Sequence, residues 1–530
     1  MAGRIISLLL GVLIIVSGIG KSDGFYTVCG SEILSPAGVP VKLRGMGFGN
    51  NFWDGTLDGI GLHHNEDSFR EMAELGFNSV RFLLNYRWFE DDSQPYTYKQ
   101  EGFDFLDQSI GWAKKYGIGL VLNMHYPQGG YQSQGNGTAL WTEPENQRRL
   151  QKLWGEISRR YADEPAIIGY GIVNEPVVPE LSDIEKTVSQ CRELVQRCTD
   201  EIRSYDSRHI IFAERVAGVR NMATGESLWG KYSTEQLWYR IDDPNVVYEV
   251  HYYEPHSFTH QSAGDNVSYP DPPYITGFES YWTGCVSAEP SGGAYFESPA
   301  FSLSGESNLF APALHTNGIG TGAAEFDDIT VTEYSPDGSH RVIWSNDFSD
   351  GRRLPENEWS GNGTGSYSVS GGVLRISGGT DDYVLTFGKM ALREGYSYKV
   401  SGYLKTSGIT SGYADIRADF SRAENIYDSG REYVFANLSA TVEFGRENGV
   451  PVYLGEFGAD AESFRNGRGG ERWVADVMDF CNENGISYSY HAYHEPMFGL
   501  YPEDTSDYPR DRNEALAEVF LAKNKNGRSK

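Results

Sequence analysis

Cysteine is scarce, with five residues in 530 and no Cys-x-x-Cys spacing. That leaves no zinc-binding pattern and no dense disulfide framework. Cys191 and Cys198 lie seven residues apart on one expected helix, about 10 Å along its axis, too far to bridge each other. At most two disulfides are available, and buried free thiols are expected. Positive charge is also short: 45 Lys and Arg face 73 Asp and Glu, for a net charge of −28. A surface of that sign does not bind a phosphate backbone, so no nucleic-acid partner is expected. Beyond the N-terminus no apolar run is long enough to cross a bilayer.

What is present starts at that N-terminus. Arg4 precedes an apolar run from Ile5 to Val16, then small residues around Ser17 to Gly20. Residues 1–20 thus read as a secretory signal peptide, and a secreted or extracytoplasmic protein without a membrane span is expected. The remaining length suits two or three domains, and a monomer is expected. Eleven Trp and 34 Tyr are generous; most are expected in cores, although aromatic faces also stack on sugar rings.

An alternation of helices and apolar strands runs through the first half. Strands are expected around Leu43–Phe48, Ser79–Leu84, Gly119–Tyr126, Ile167–Val173, His209–Ala213 and Val246–Tyr253, most of them separated by helices. Apolar runs without alternation suit a parallel sheet covered on both faces. From Thr276 the texture changes to Gly, Ser and Thr with short alternating runs such as Phe326–Thr332 and Tyr396–Leu404, the signature of a β-sandwich. Helical pattern resumes at Arg431, and strands follow at Val452–Phe457 and Ile486–Tyr493. The expected fold is α/β, a (β/α)8 TIM barrel with an all-β, jelly-roll-like sandwich inserted between barrel strands 6 and 7. Its parts are 21–275 and 431–530 for the barrel and 276–430 for the insert.

Chemistry concentrates at strand ends. Ile167–Val173 stops at Asn174-Glu175-Pro176, and Val452-Tyr453-Leu454-Gly455 leads into Glu456. Two carboxyl groups presented from separate strand ends are what glycosidic-bond hydrolysis with retention needs, one as acid/base and one as nucleophile. With Arg81, His125, His251-x-Tyr253 and His491 added, the constellation resembles glycoside hydrolase family 5, the cellulase family of retaining barrels, over about residues 40–275 and 431–525.

That resemblance makes Glu175 the acid/base and Glu456 the nucleophile, with no cofactor required for catalysis. Arg81 and a hydrogen bond from Tyr253 should keep Glu456 charged, while burial beside Glu456 should raise the pKa of Glu175. Asn174 is expected at the sugar 2-hydroxyl, and His125 and His251 as orienting groups. His491 stands where the family offers a Trp platform, which leaves the sugar open. Glu214, Glu254 and Glu495 are expected to be solvated or structural. The loop after His125 (Pro127 to Gln132) would either close one end of the cleft or lie solvated on the surface.

Inside the insert, the segment 313–329 resembles the end of a carbohydrate-binding jelly roll and 346–398 its beginning, an order that suggests circular permutation. As a binding module it would use Trp282, Trp344, Trp359 or Tyr367; as a structural insert it would only buttress the barrel. Asp327, Asp328, Asp347 and Asp350 are oxygen donors of the kind a structural calcium takes, or ordinary turn acids. A poly- or oligosaccharide substrate is implied, with a β-1,4-glucan cut internally as first choice. Mannan, a β-1,3-glucan or a glycolipid glycan are alternatives, as is a non-catalytic polysaccharide binder.

Overall fold

The computed structural model describes residues 24–48, 55, 57, 64–262, 267–270, 274–288, 294–349, 354–427, 429–503 and 509–526. The expected signal segment 1–20, Asp350 and the loop around Asn50 to Trp53 lie outside these residues. The chain divides into two compact units, Met1–Tyr269 with Val434–Lys530, and Pro270–Tyr433.

The first unit is a closed barrel. Its strands are β1 (Arg44–Phe48), β2 (Ser79–Asn85), β3 (Gly119–Tyr126), β4 (Ile167–Gly171), β5 (Ile210–Glu214), β6 (Val246–Tyr252), β7 (Val452–Phe457) and β8 (Ser487–Tyr490). They pair in chain order, and β8 returns to β1. All eight pairings are parallel, so each strand points the same end at the same face. Nearly every strand residue is buried, which accounts for the unbroken apolar runs.

The crossover helices carry local signals of their own. Asp183 caps the Ile184–Arg203 helix by accepting the Lys186 N–H, and Pro144 opens the Pro144–Tyr161 helix at a position that needs no N–H. At the strand N-termini an apolar cluster of Leu43, Val121, Ile168, Ile210, Phe212, Val247 and Tyr453 takes in Ile33 from a short N-terminal hairpin. One end of the barrel is thereby filled with hydrocarbon, and chemistry is left to the other. All five cysteines are free thiols, with Cys191, Cys198 and Cys481 buried. Among the described residues no helix is long and apolar enough to cross a membrane.

The second unit is two antiparallel sheets, inserted between β6 and β7 as the texture of the sequence implies. One sheet runs Tyr274–Ala288, Tyr413–Tyr427, Leu309–Asn317, Asp382–Thr386, Asn357–Ser360; the other is centred on Ala323–Tyr334 and Ser397–Ser407. First and last strands pair, with Tyr274 opposite Tyr427. The two chain ends of the insert therefore leave side by side, which is what lets a domain interrupt a loop. Phe310, Leu314, Phe326, Leu374, Ile376 and Tyr398 fill the space between the sheets. Trp344, a binding candidate in the sequence, belongs to this core, and Tyr367 packs against it. Val331, inward on a core strand, faces Trp344 across the register, so hydrophobic contact claims that ring. Phe326→Ala should destabilise the sandwich by about 3–5 kcal/mol, read as a lowered first transition in calorimetry; an unchanged trace would refute this core assignment.

Candidate active site

Of the eight residues singled out in the sequence, all but Arg81 lie at or near the C-terminal ends of the barrel strands. His125, His251 and Glu456 are next to last on β3, β6 and β7; Tyr253 and His491 directly follow β6 and β8. Asn174 and Glu175 come after β4 has ended at Gly171. Arg81 departs from expectation: it is the third residue of β2, paired with Gly47 and Val121. It rises from inside the barrel and is wholly buried.

That position makes Arg81 the hub. Its Nε donates to Glu249 Oε1 (2.7 Å), Nη1 to Glu456 Oε1 (2.5 Å) and Nη2 to Asn174 Oδ1 (2.7 Å). A planar fork suits this task, because three acceptors are served from one rigid group. Burial alone would lower the Arg81 pKa, but Glu249, Glu456 and Glu214 hold it above its ordinary value. Tyr253 Oη donates to the other oxygen of Glu456 at 3.0 Å, so both nucleophile-candidate oxygens are fixed.

The register of β6 against β7 explains how these groups meet. Val250 pairs with Leu454, but His251 pairs with Glu456, so Gly455 is one extra residue on β7. Such a bulge re-aims the side chain that follows it. It also brings the Glu249 carboxylate onto Gly455, where an added Cβ would lie 1.8 Å from Glu249 Oε1. Only glycine fits there.

His251 occupies the centre. Its Nδ1 lies 2.7 Å from Glu175 Oε1 and 3.5 Å from Glu456 Oε2; its Nε2 lies 3.5 Å from Glu249 and 3.6 Å from Glu214. Burial would strip this imidazole of its proton, yet Glu214, Glu456 and Glu175 raise its pKa well above the usual histidine range. The consequence overturns one expectation. Burial does push Glu175 upward, but the His251 hydrogen bond and charge outweigh it, bringing its pKa down to about 2. The expected upward shift counted burial and Glu456 and missed the imidazolium, a contact across 76 residues of sequence. One carboxylate oxygen each of Glu175 and Glu456 lie within 4.8 Å of one another, with His251 Nδ1 between them in range of both. Glu175 holds its place with φ at +40°, a left-handed conformation that costs a non-glycine residue energy and marks functional sites.

The remaining candidates form the walls. His125 Nδ1 is 3.8 Å and His491 Nδ1 3.9 Å from Glu456 Oε1, and the two rings are parallel at 6.2 Å. Burial lowers the pKa of His125, so it stays neutral; His491 is raised, against burial, by Glu456 and Glu495. The loop after His125 is tied down rather than solvated. Gln132 donates to the Gly130 and Gly137 carbonyls and accepts from Trp141 Nε1, and the Tyr131 ring sits 5.8 Å from His125. Ser133 accepts from Asn174 Nδ2 at 3.2 Å.

Sequence reasoning gave Glu249 no role and left Glu214 as solvated or structural. Both are buried, and both touch site residues. A signal existed: each acid stands in an apolar strand run, Ile210 to Ala213 before one and Val246 to Val250 around the other. Two acid–histidine clusters are tight enough for a metal ion, Glu175–His251–Glu456 and Glu214–Glu249–His251. In both, Arg81 or the imidazolium already supplies the positive charge. Of the acids suggested for calcium, Asp327 accepts the Asp328 N–H and Asp347 accepts the Ser349 N–H.

Comparison with known proteins places this geometry. Residues 34–289 match the family model for Cellulase (glycosyl hydrolase family 5). The match covers the first six barrel strands and runs out in the insert, before Glu456. Endoglucanase C of Acetivibrio thermocellus is 32% identical over 199 residues, 37% of this chain and 52% of the relative. A Beta-xylosidase of Phanerodontia chrysosporium is 29% identical over 271 residues, 44% of this chain and 53% of the relative. The chain thus spans about half the length of these curated relatives. The solved endoglucanase Cel5A of Thermotoga maritima is similar at 18% identity and TM-score 0.47, over 90% of this chain and 96% of that one. With residues 34–289 matching that family and a closed parallel barrel in the first unit, the barrel of this protein resembles those of glycosyl hydrolase family 5.

Proposed function

We propose that the protein hydrolyses β-linked glycosidic bonds with retention, Glu456 acting as nucleophile and Glu175 as acid/base. The observation that carries this reading is the approach of the two carboxylates to within 4.8 Å. Retaining enzymes hold the pair about 5–5.5 Å apart, whereas inverting ones need about 6.5–9.5 Å to seat a water. Arg81 and Tyr253 leave Glu456 no freedom but to face the anomeric carbon. The Glu175–His251 pair holds one proton across a 2.7 Å bond. Transfer along that bond makes Glu175 the acid toward the leaving oxygen. After glycosylation removes the Glu456 charge, Glu175 takes the proton of the attacking water. Glu214 is pushed up to about 8, first by burial, and so is largely neutral at pH 7.

The substrate we favour is a β-1,4-glucan cut internally, in line with the endoglucanases among the relatives. The β-xylosidase relative and His491 in place of an aromatic platform keep other β-glycans in the test. Export is part of the proposal, supported by Arg4 and the apolar run Ile5–Val16; N-terminal sequencing of secreted protein that still begins at Met1 would refute it.

We also propose that the sandwich binds carbohydrate, on the outer face of the sheet that carries Trp359. Register lays out one row, Trp359–Val384–His315–Asp415, and beside it another, Asp382–Asn317–Tyr413. Residues opposite one another in a ladder share a face. His315 is buried and bridges Asp415 (2.7 Å) and Asp382 (3.1 Å), while Ala311 and Ala313 beside it leave the floor low. Trp359 (55% exposed) and Tyr413 (50% exposed) rise at the flanks. A polar floor between aromatic walls offers hydrogen bonds to hydroxyls and faces to sugar rings.

Glu175→Gln and Glu456→Gln should each lower kcat/KM on a soluble β-glucan by at least about 1,000-fold; near-normal rates in either would sink the assignment. His251→Gln removes the group that depresses Glu175, so the alkaline limb of the kcat/KM profile should move, and an unmoved limb would contradict the shared proton. Trp359→Ala with Tyr413→Ala, in a Glu456→Gln background, should weaken retention on insoluble polysaccharide about tenfold or more; undiminished retention would reject the trough.

A further inference from the structure

Glu214 closes β5 and is buried, yet the double displacement has no step for it. Its Oε2 accepts the backbone N–H of Glu175 at 2.9 Å. The same oxygen lies 3.6 Å from His251 Nε2 and 3.9 Å from Arg81 Nη2. Glu175 therefore meets Glu214 twice, through its own backbone and through the imidazole that holds its side chain.

We propose that Glu214 is the positioning residue of the acid/base. By accepting the Glu175 N–H it secures the left-handed turn that aims the carboxyl, and by facing His251 Nε2 it governs the proton on the other ring nitrogen. The proposal rests on reading Glu175 as acid/base. The groups around Glu214 are His251 and Glu249 on β6, Arg81 on β2, Glu175 after β4, the neighbouring Arg215, Cys191 on the Ile184–Arg203 helix, and Tyr239, whose Oη donates to the Glu214 carbonyl. Of the carboxyls here only Glu214 is displaced strongly upward, with burial as the largest cause and Glu249 and Glu175 adding to it.

Two consequences separate this role from mere packing. As pH rises, Glu214 loses its proton and the new charge tightens the hold on the imidazolium. The Glu175–His251 pair then keeps its shared proton to higher pH. The sign for stability is opposite: a carboxyl whose folded pKa exceeds its unfolded value contributes stability fully present below about 4.5 and lost as pH rises through about 8.

Glu214→Gln keeps the size and the acceptor but not the charge. Its alkaline limb in kcat/KM should fall by roughly one pH unit or more, and its stability should decline less than wild type between pH 4.5 and 8. Glu214→Ala also removes the acceptor and should lower kcat about 10–100-fold, with KM within about twofold. Histidine NMR on the unsubstituted protein gives a third readout, with both His251 ring nitrogens protonated at neutral pH. An unmoved alkaline limb in Glu214→Gln, or a singly protonated His251, would overturn the proposal. Glu175→Ala assayed with azide and an activated aryl glycoside keeps the two ideas apart. Rescue to a glycosyl azide upholds Glu175 as acid/base whatever Glu214 does, and absence of rescue removes the reading beneath it.

Discussion

The active end of the barrel depends on one buried cation. Arg81 donates to Glu249, Glu456 and Asn174, groups contributed from β6, β7 and the turn after β4. Each carboxylate brought out of water costs several kcal/mol unless it is paired and hydrogen-bonded. The fork meets that cost for two of them at once and fixes their orientation. A lysine there would bring a point charge without the plane. The apolar filling at the opposite barrel end supplies stability without polar demands, which leaves the C-terminal mouth free to hold a dense set of charges.

The second organising contact is the imidazolium of His251. It lies among Glu175, Glu214, Glu249 and Glu456, with Arg81 Nη2 3.3 Å from its Nε2. The bulge at Gly455 puts it opposite Glu456 instead of one residue out of step. A backbone irregularity on β7 is thus converted into the spacing between two carboxylates, and that spacing decides which stereochemistry the site is built for.

Much of this was legible in the chain. Most of the barrel strands declared themselves as apolar runs, as strands buried on both faces do, although β8 is Ser-Tyr-Ser-Tyr; the insert did so because its texture turns abruptly to Gly, Ser and Thr. Glu175 and Glu456 stood out as acids directly after such runs. Glu214 stood in the same kind of place, but a strand-end acid looks alike whether it meets solvent or a buried histidine. The downward shift at Glu175 was illegible for a similar reason, since its cause arrives from β6. Arg81 was grouped with the strand-end residues, whereas it is the third residue of β2. Trp344 looked like a surface aromatic until the register set it against Val331.

The central claim is a nucleophile and an acid/base across one sugar ring. Its most direct measurement is proton NMR of the first-formed product from a soluble β-glycoside, recorded before mutarotation. This account requires the β-anomer to appear first. Initial release of the α-anomer would contradict it.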